Sequence, residues 1–176
     1  MPLPARTINP SSEPFFNIMG PVVQFLLDPA DASGAFGLIR GIVPPGVAVP
    51  LHSHADPEAM YVLNGSLEFL QYSEHSSRWL MAQSDEIICI PGEVKHALGN
   101  SSSKPATVLL ATTPNIYEFF RELASPFEPD RPVGPPTPED MQRLLTLSAK
   151  HNYWIASPEE NAAIGLNALF ARGVRD

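Results

Sequence analysis

A chain of 176 residues and 19.1 kDa is sized for one domain, and folding at this length removes ~70% of the unfolded surface from water. Eleven Lys and Arg against 19 Asp and Glu leave a net charge of −8 and a pI near 5.0, without the basic footprint of a nucleic-acid binder. With 44% hydrophobic and 17% charged residues the chain reads as ordered and globular. No apolar run approaches the ~18 residues of a membrane span, and the first turns of sequence, MPLPARTINPSSEP, hold no apolar signal core, so a soluble cytoplasmic protein is expected. A lone Cys89 removes disulfides and thiolate metal sites, leaving nitrogen and oxygen donors for any bound metal.

In chain order, residues 1–21 are rich in Pro, Ser and Asn and read as an irregular arm docked on the body through Phe15, Phe16 and Ile18. From Val22 to Thr113 the pattern changes to short β-type runs, VVQFLL, AFGLIRGIV, AMYVL, SLEFL, RWLM, EIICI, HALGN and ATVLLATT, separated by Gly, Pro, Asn and Ser. Such runs, with no crossover helix between them, predict an antiparallel sandwich or barrel. Asn64-Gly65 predicts a type I′ hairpin, pairing Val62 with Leu67, Met60 with Phe69 and Glu58 with Gln71 on one inward face. Tyr61 and Leu63 then point outward and require a cover, either the helices or another subunit.

After Thr113 the period becomes helical. Ile116, Phe119, Phe120 and Leu123 share one face, as do Met141, Leu144, Leu145 and Ser148. Thr113-Pro114, Thr137-Pro138 and Ser157-Pro158 each place a capping hydroxyl before a proline at the first helical position, and Asp140 and Glu160 stand where a capping box needs an acid. Residues 126–136, PFEPDRPVGPP, predict an extended connector between the first two helices. The expected organisation is an arm (1–21), a β domain (22–113) and a helical extension (114–176).

The chemistry concentrates in H-S-H-A-D-P-E, residues 52–58. Residues i and i+2 of a strand share a face, so His52 and His54 can direct both imidazoles at one point. A carboxylate from Glu58, at the start of the next strand, can complete a facial ligand set suited to Fe, Mn, Ni, Co or Zn as a divalent ion. An H-x-H pair alone is equally well a polar strand face.

The longer string, Gly46, five residues, His52-x-His54, three residues, Glu58, six residues, Gly65, resembles the first motif of the cupin superfamily at every fixed position. In IPGEVKHALGN the residues Pro91, His96 and Asn100 resemble the second motif in register, with Asp85 and Glu93 where that motif has glycines. The resemblance covers about residues 22–113. It implies an all-β double-stranded β-helix, a jelly-roll cupin barrel, with His96 as a fourth metal ligand beside His52, His54 and Glu58. The arm, NIYEFFRELA and PPTPEDMQRLLTLSAKHNYW are similar in arrangement to bacterial monocupin proteins resembling quercetin 2,3-dioxygenase. That likeness implies a metal-dependent dioxygenase acting on a flavonol-like or otherwise enolisable aromatic small molecule, with Glu58 doubling as base, and a homodimer. The alternatives are another metal-dependent cupin enzyme, an isomerase or decarboxylase, and a non-catalytic small-molecule binder.

Other residues have plainer readings. His75 reads as a solvated loop residue and His151 as a helix-end cation, so alanine variants of both are expected to keep the metal. Cys89 reads as a buried small hydrophobe. Met60, Val62, Leu67 and Phe69 suit a pocket or plain core equally, and the glycines around Arg40 leave its side undecided. The outward Tyr61 and Leu63, with the helical Phe119, Phe120 and Leu123, are expected to form an apolar surface for association.

Overall fold

The computed structural model describes residues 4–73, 76–130, 136–166 and 174. His75 and residues 131–135 of the connector lie outside the described residues. All eight β-type runs are strands. In chain order the strands are β1 (Phe16–Asn17), β2 (Val22–Leu27), β3 (Gly37–Val43), β4 (Ala48–Ser53), β5 (Glu58–Asn64) and β6 (Ser66–Gln71). They continue as β7 (Arg78–Gln83), β8 (Ile87–Ile90), β9 (His96–Gly99), β10 (Ala106–Thr112), β11 (Ser125–Pro126) and β12 (Trp154–Ile155). The helices are α1 (Pro114–Leu123), α2 (Pro138–Lys150) and α3 (Pro158–Ala163).

Two antiparallel sheets result, β11-β1-β2-β3-β10-β5-β8 and β12-β4-β9-β6-β7, a jelly-roll arrangement that does not close into the expected continuous barrel. The physical reason sits at Asn64-Gly65. Strand β5 is hydrogen-bonded on both sides, to β10 and β8, so no edge is left for the predicted hairpin partner β6, which pairs with β7 and β9 in the other sheet. Only Gly65 of the pair is left-handed, at φ 79°. A Cβ there would stand 2.7 Å from the Pro105 carbonyl oxygen, so this is a corner where the chain changes sheets. The predicted inward face of β5 survives, because alternation is set by the pleat and not by the partner. Glu58, Met60 and Val62 are buried while Tyr61 and Leu63 face out.

Strand β3 resolves the ambiguity at Arg40. Gly37, Ile39, Gly41 and Val43 point inward and Arg40 outward, where its Nη1 donates to Gln24 Oε1 at 3.4 Å. Gln24 in turn ties down the arm by donating to the carbonyls of Pro10 and Glu13 at 2.7 and 2.8 Å. The arm is less irregular than expected, since β1 within it adds to the first sheet.

Proline and hydroxyl cooperate at all three helix starts. The side chains of Thr113, Thr137 and Ser157 accept from backbone N–H groups of the first turn, and Thr137/Asp140 and Ser157/Glu160 form full capping boxes. In α1, Ile116, Phe119 and Leu123 are buried as expected; in α2, Leu144 and Ser148 are buried but Leu145 is 55% exposed. The α1 stripe Phe119, Phe120 and Leu123 lines the interior cavity. It therefore does not join Tyr61 and Leu63 in one outer surface. Leu63 stays 45% exposed among the described residues. Cys89 is likewise exposed, a correction that follows from the alternation of the edge strand β8, where Ile88 and Ile90 take the inward places.

Three of the motif positions act on the backbone. Asn100 is fully buried; its Nδ2 donates to the carbonyls of Val43 and Lys104 at 2.8 and 2.7 Å, and its Oδ1 accepts from Ser102. That knot joins the end of β3 to the turn between β9 and β10. Asp85 and Glu93 keep the left-handed backbone of the glycines they replace, at φ 70° and 66°. Each pays the Cβ–carbonyl conflict that glycine avoids. Glu93→Gly should therefore raise stability by about 1 kcal/mol, read as a higher urea midpoint at unchanged slope; a lowered midpoint would refute it.

Candidate metal centre

Strand pairing brings the site together. His52 lies in β4 opposite His96 in β9, His54 follows one residue beyond the end of β4, and Glu58 opens β5. The ring centroids of His52 and His96 are 4.1 Å apart, those of His54 and His96 5.1 Å, and those of His52 and His54 5.6 Å. One ligand nitrogen from each of the three lies within 4.8 Å of the others, the group of potential metal donors found among the described residues. All three are buried, and so is Glu58.

The rings share one orientation device. His52 Nδ1 donates to the Pro50 carbonyl at 2.8 Å, His54 Nδ1 to Asp56 at 2.7 Å, and His96 Nδ1 to Val94 at 2.8 Å. A carbonyl can only accept, so Nδ1 carries a proton in each ring, and in a neutral ring Nε2 presents the lone pair. Burial, and next the neighbouring His96, holds His52 well below the usual imidazole range. Burial also lowers His54, against the raising pull of Glu58. Both rings are therefore neutral at pH 7, the form a metal requires.

His96 Nε2 supplies the test of fit. It is buried and makes no hydrogen bond, although Glu58 Oε1 stands 3.1 Å away. In a neutral ring with its proton on Nδ1, that nitrogen and the carboxylate oxygen would meet lone pair to lone pair. A buried carboxylate beside neutral imidazoles needs a positive charge. A divalent cation held by the three histidines, with Glu58 Oε1 beside His96, would meet that need, and these donor types fit the metal that the sequence motif implies.

The site opens onto a cavity of about 140 Å³ between the sheets. His52, His54, Glu58 and Tyr153 are its polar end, and Ile39, Met60, Leu67, Val108, Phe119 and Leu144 are among its apolar walls. Met60 and Leu67 thus belong to both cavity and core, whereas Val62 and Phe69 do not line it.

Tyr153 is the member that sequence reasoning missed. It follows α2, stacks on Phe119 with ring centroids 4.2 Å apart, and lies 4.6 Å from His54. Its buried hydroxyl has no hydrogen-bond partner. Burial, then the charges of Glu58 and Asp56, push its ionisation far upward, so it is a neutral phenol. Only its place between an amphipathic helix and an apolar pair in HNYWI hinted at an inward side chain.

His52→Ala, His54→Ala and His96→Ala should each lower bound metal at least tenfold, measured by elemental analysis after metal loading; full occupancy in any two would refute the ligand set. The depressed histidines also set a pH dependence for metal-free protein. Below about pH 6.5 the unfolded chain takes up protons that the folded chain refuses, so unfolding binds protons and stability falls with acid. Above about pH 7 both states hold neutral rings and this contribution is constant. The urea midpoint should accordingly drop between pH 7.5 and 5.5, and a flat or rising midpoint would contradict the assignment.

Comparison with known proteins now has a geometry to meet. Residues 40–112 match the family model of the cupin domain, a stretch that holds all four site residues. The structure is similar to the polyketide cyclase RemF from Streptomyces resistomycificus (TM-score 0.54, 19% identity, 62% of this chain and 80% of that one). It is also similar to a predicted oxalate decarboxylase from Thermotoga maritima (0.52, 20%, 61% and 98%) and to an RmlC-like cupin from Shewanella frigidimarina (0.51, 13%, 65% and 95%). No curated protein matches the chain in sequence. At these identities the structural likenesses speak for the fold alone: the chain has a cupin-like fold, and within it residues 40–112 match the cupin domain.

Proposed function

We propose that this protein is a metal-dependent cupin enzyme, a dioxygenase acting on an aromatic or enolisable small molecule of flavonol type. The observation that carries the reading is the clustering of three buried imidazoles, with the Glu58 carboxylate beside His96, at the polar end of an otherwise apolar cavity. His52, His54, His96 and Glu58 would hold the ion, and their nitrogen and oxygen donors accept Fe, Mn, Ni, Co or Zn. Bound there, a divalent ion would supply Lewis-acid stabilisation of a developing oxyanion.

The protein groups do the rest. The apolar walls accept a flat hydrophobic body and exclude water, which strengthens every charge interaction inside. Glu58, on the cavity wall, removes the hydroxyl or enol proton of the substrate. The Tyr153 hydroxyl donates a hydrogen bond to a substrate oxygen and so acquires the partner that it lacks. The aromatic face of Phe119, stacked on Tyr153, stiffens that donor.

Glu58→Gln keeps size and one metal-facing oxygen but loses the proton-accepting charge. Turnover should fall by roughly 10² to 10⁴ while metal and substrate binding persist in part. The measurement is oxygen consumption with flavonols, catechols and β-diketones in protein loaded with Fe, Mn, Ni or Co. Activity per bound metal unchanged in Glu58→Gln would leave Glu58 a ligand and place the base elsewhere. Product formation by wild-type protein without oxygen uptake would favour an isomerase or decarboxylase, and tight binding without conversion a non-catalytic binder.

A further inference from the structure

We infer that Asn115 and His151, both outside the matched cupin domain, are positioning residues for His54 and act on it through Asp56; the inference rests on the metal-centre reading above. The link is a continuous run of hydrogen bonds. His54 Nδ1 donates to the main-chain carbonyl of Asp56 at 2.7 Å. The Asp56 carboxylate accepts from Thr113 Oγ1 on one oxygen and from Asn115 Nδ2 on the other, each at 2.7 Å. Asn115 Oδ1 accepts from His151 Nδ1 at 2.9 Å, and His151 Nε2 stands 3.3 Å from Glu122 Oε1. Lys150 closes the outer end on Glu122.

Asp56 sits in the loop between His54 and Glu58, so whatever holds it sets both. The opposite side of this loop is gripped by backbone: Glu93 N–H donates to the His54 carbonyl at 2.7 Å, and the Ala55 carbonyl fills the space where Gly92 has no Cβ. On the helix side the grip is made of side chains alone. Two charge-assisted hydrogen bonds to one carboxylate fix its residue firmly, and such outer contacts orient a metal-bound imidazole. The orientation of Asn115 follows from its partners, an amide nitrogen facing a carboxylate and an oxygen facing an N–H. His151 does end α2, its N–H bonded to the Leu147 carbonyl. Its ring, however, is spent on Asn115 and Glu122. The expectation that His151→Ala leaves the metal untouched is therefore replaced by a loss of affinity.

The test is titration of metal-stripped full-length protein with Co(II), read by visible absorption of the bound ion, with circular dichroism to verify folding. Asn115→Asp turns the donor toward Asp56 into a second carboxylate. By charge alone, an added anion near the centre would tighten Co(II) binding. By the positioning argument it should weaken binding about tenfold to a hundredfold and alter the cobalt spectrum. The exchanged pair Asp56→Asn with Asn115→Asp restores a donor opposite an acceptor at wild-type net charge, and should return affinity to within about threefold of wild type. Asn115→Asp binding as tightly as wild type, or a folded double variant as weak as the single one, would overturn the inference. If Asn115→Asp does not fold, His151→Gln, which keeps an amide donor, should bind Co(II) more tightly than His151→Leu; equal affinities would overturn it as well. Wild-type protein that binds no Co(II) would remove the metal centre and this inference together, whereas wild-type binding with indifferent variants removes the inference alone.

Discussion

Each site imidazole spends its Nδ1 proton on a main-chain carbonyl two residues away, Pro50 for His52, Asp56 for His54 and Val94 for His96, and the chemistry of the centre depends on those three bonds. A hydrogen bond of this kind contributes about 1 kcal/mol net, and leaving a buried donor unpaired costs more. The bonds therefore select one tautomer and one ring direction. With Nδ1 committed, the three rings are left to offer Nε2 within their cluster, and burial keeps protons off His52 and His54 at neutral pH. The backbone, through short-range geometry, thus prepares an electron-rich cluster that a cation completes.

That cluster is set against surroundings of opposite character. Glu58 is a buried carboxylate at the edge of an apolar cavity, and 3.1 Å from it stands an imidazole nitrogen that makes no hydrogen bond. Such an arrangement stores electrostatic demand that water cannot meet. A bound ion relieves it, and a substrate oxygen arriving at the same end shares in the relief. The low dielectric that makes the empty arrangement costly also makes each interaction with the reacting group stronger.

The segments flanking the matched domain are built into the centre. Phe119, Phe120 and Leu123 of α1 and Leu144 of α2 form cavity wall, Ile18 and Met19 of the arm add to it, and Tyr153 reaches its polar end. The start of α1 also holds Asp56, through Thr113 and Asn115. A sandwich of two sheets alone would leave the interior open on this side; the amphipathic stripes that the helices present are buried because they close it.

Much of this was legible along the chain. Period-two runs located eight of the strands, hydroxyl-proline pairs located the three α-helices of the described residues, and the H-x-H spacing together with the motif resemblance named His52, His54, Glu58 and His96, of which the structure clusters the three histidines and sets Glu58 beside His96. These features are local, and local physics decides them: alternation follows from the pleat, caps from the first helical turn, and an i, i+2 pair shares a face whatever its neighbours. Partnership is another matter. Whether β6 folds back on β5 or crosses to the other sheet depends on β10 and β8 having already taken both edges of β5, and Asn64-Gly65 permits either course. Edge position exposed Cys89, and packing across the cavity turned the α1 stripe inward. Tyr153 and His151 acquired their roles from helices that fold back across about a hundred residues of chain to reach His54 and Asp56. The sequence by itself determined the elements and the donor atoms; only the tertiary structure decided which edges pair, which face is buried and what holds the ligands in place, because those depend on contacts between residues that no spacing along the chain connects.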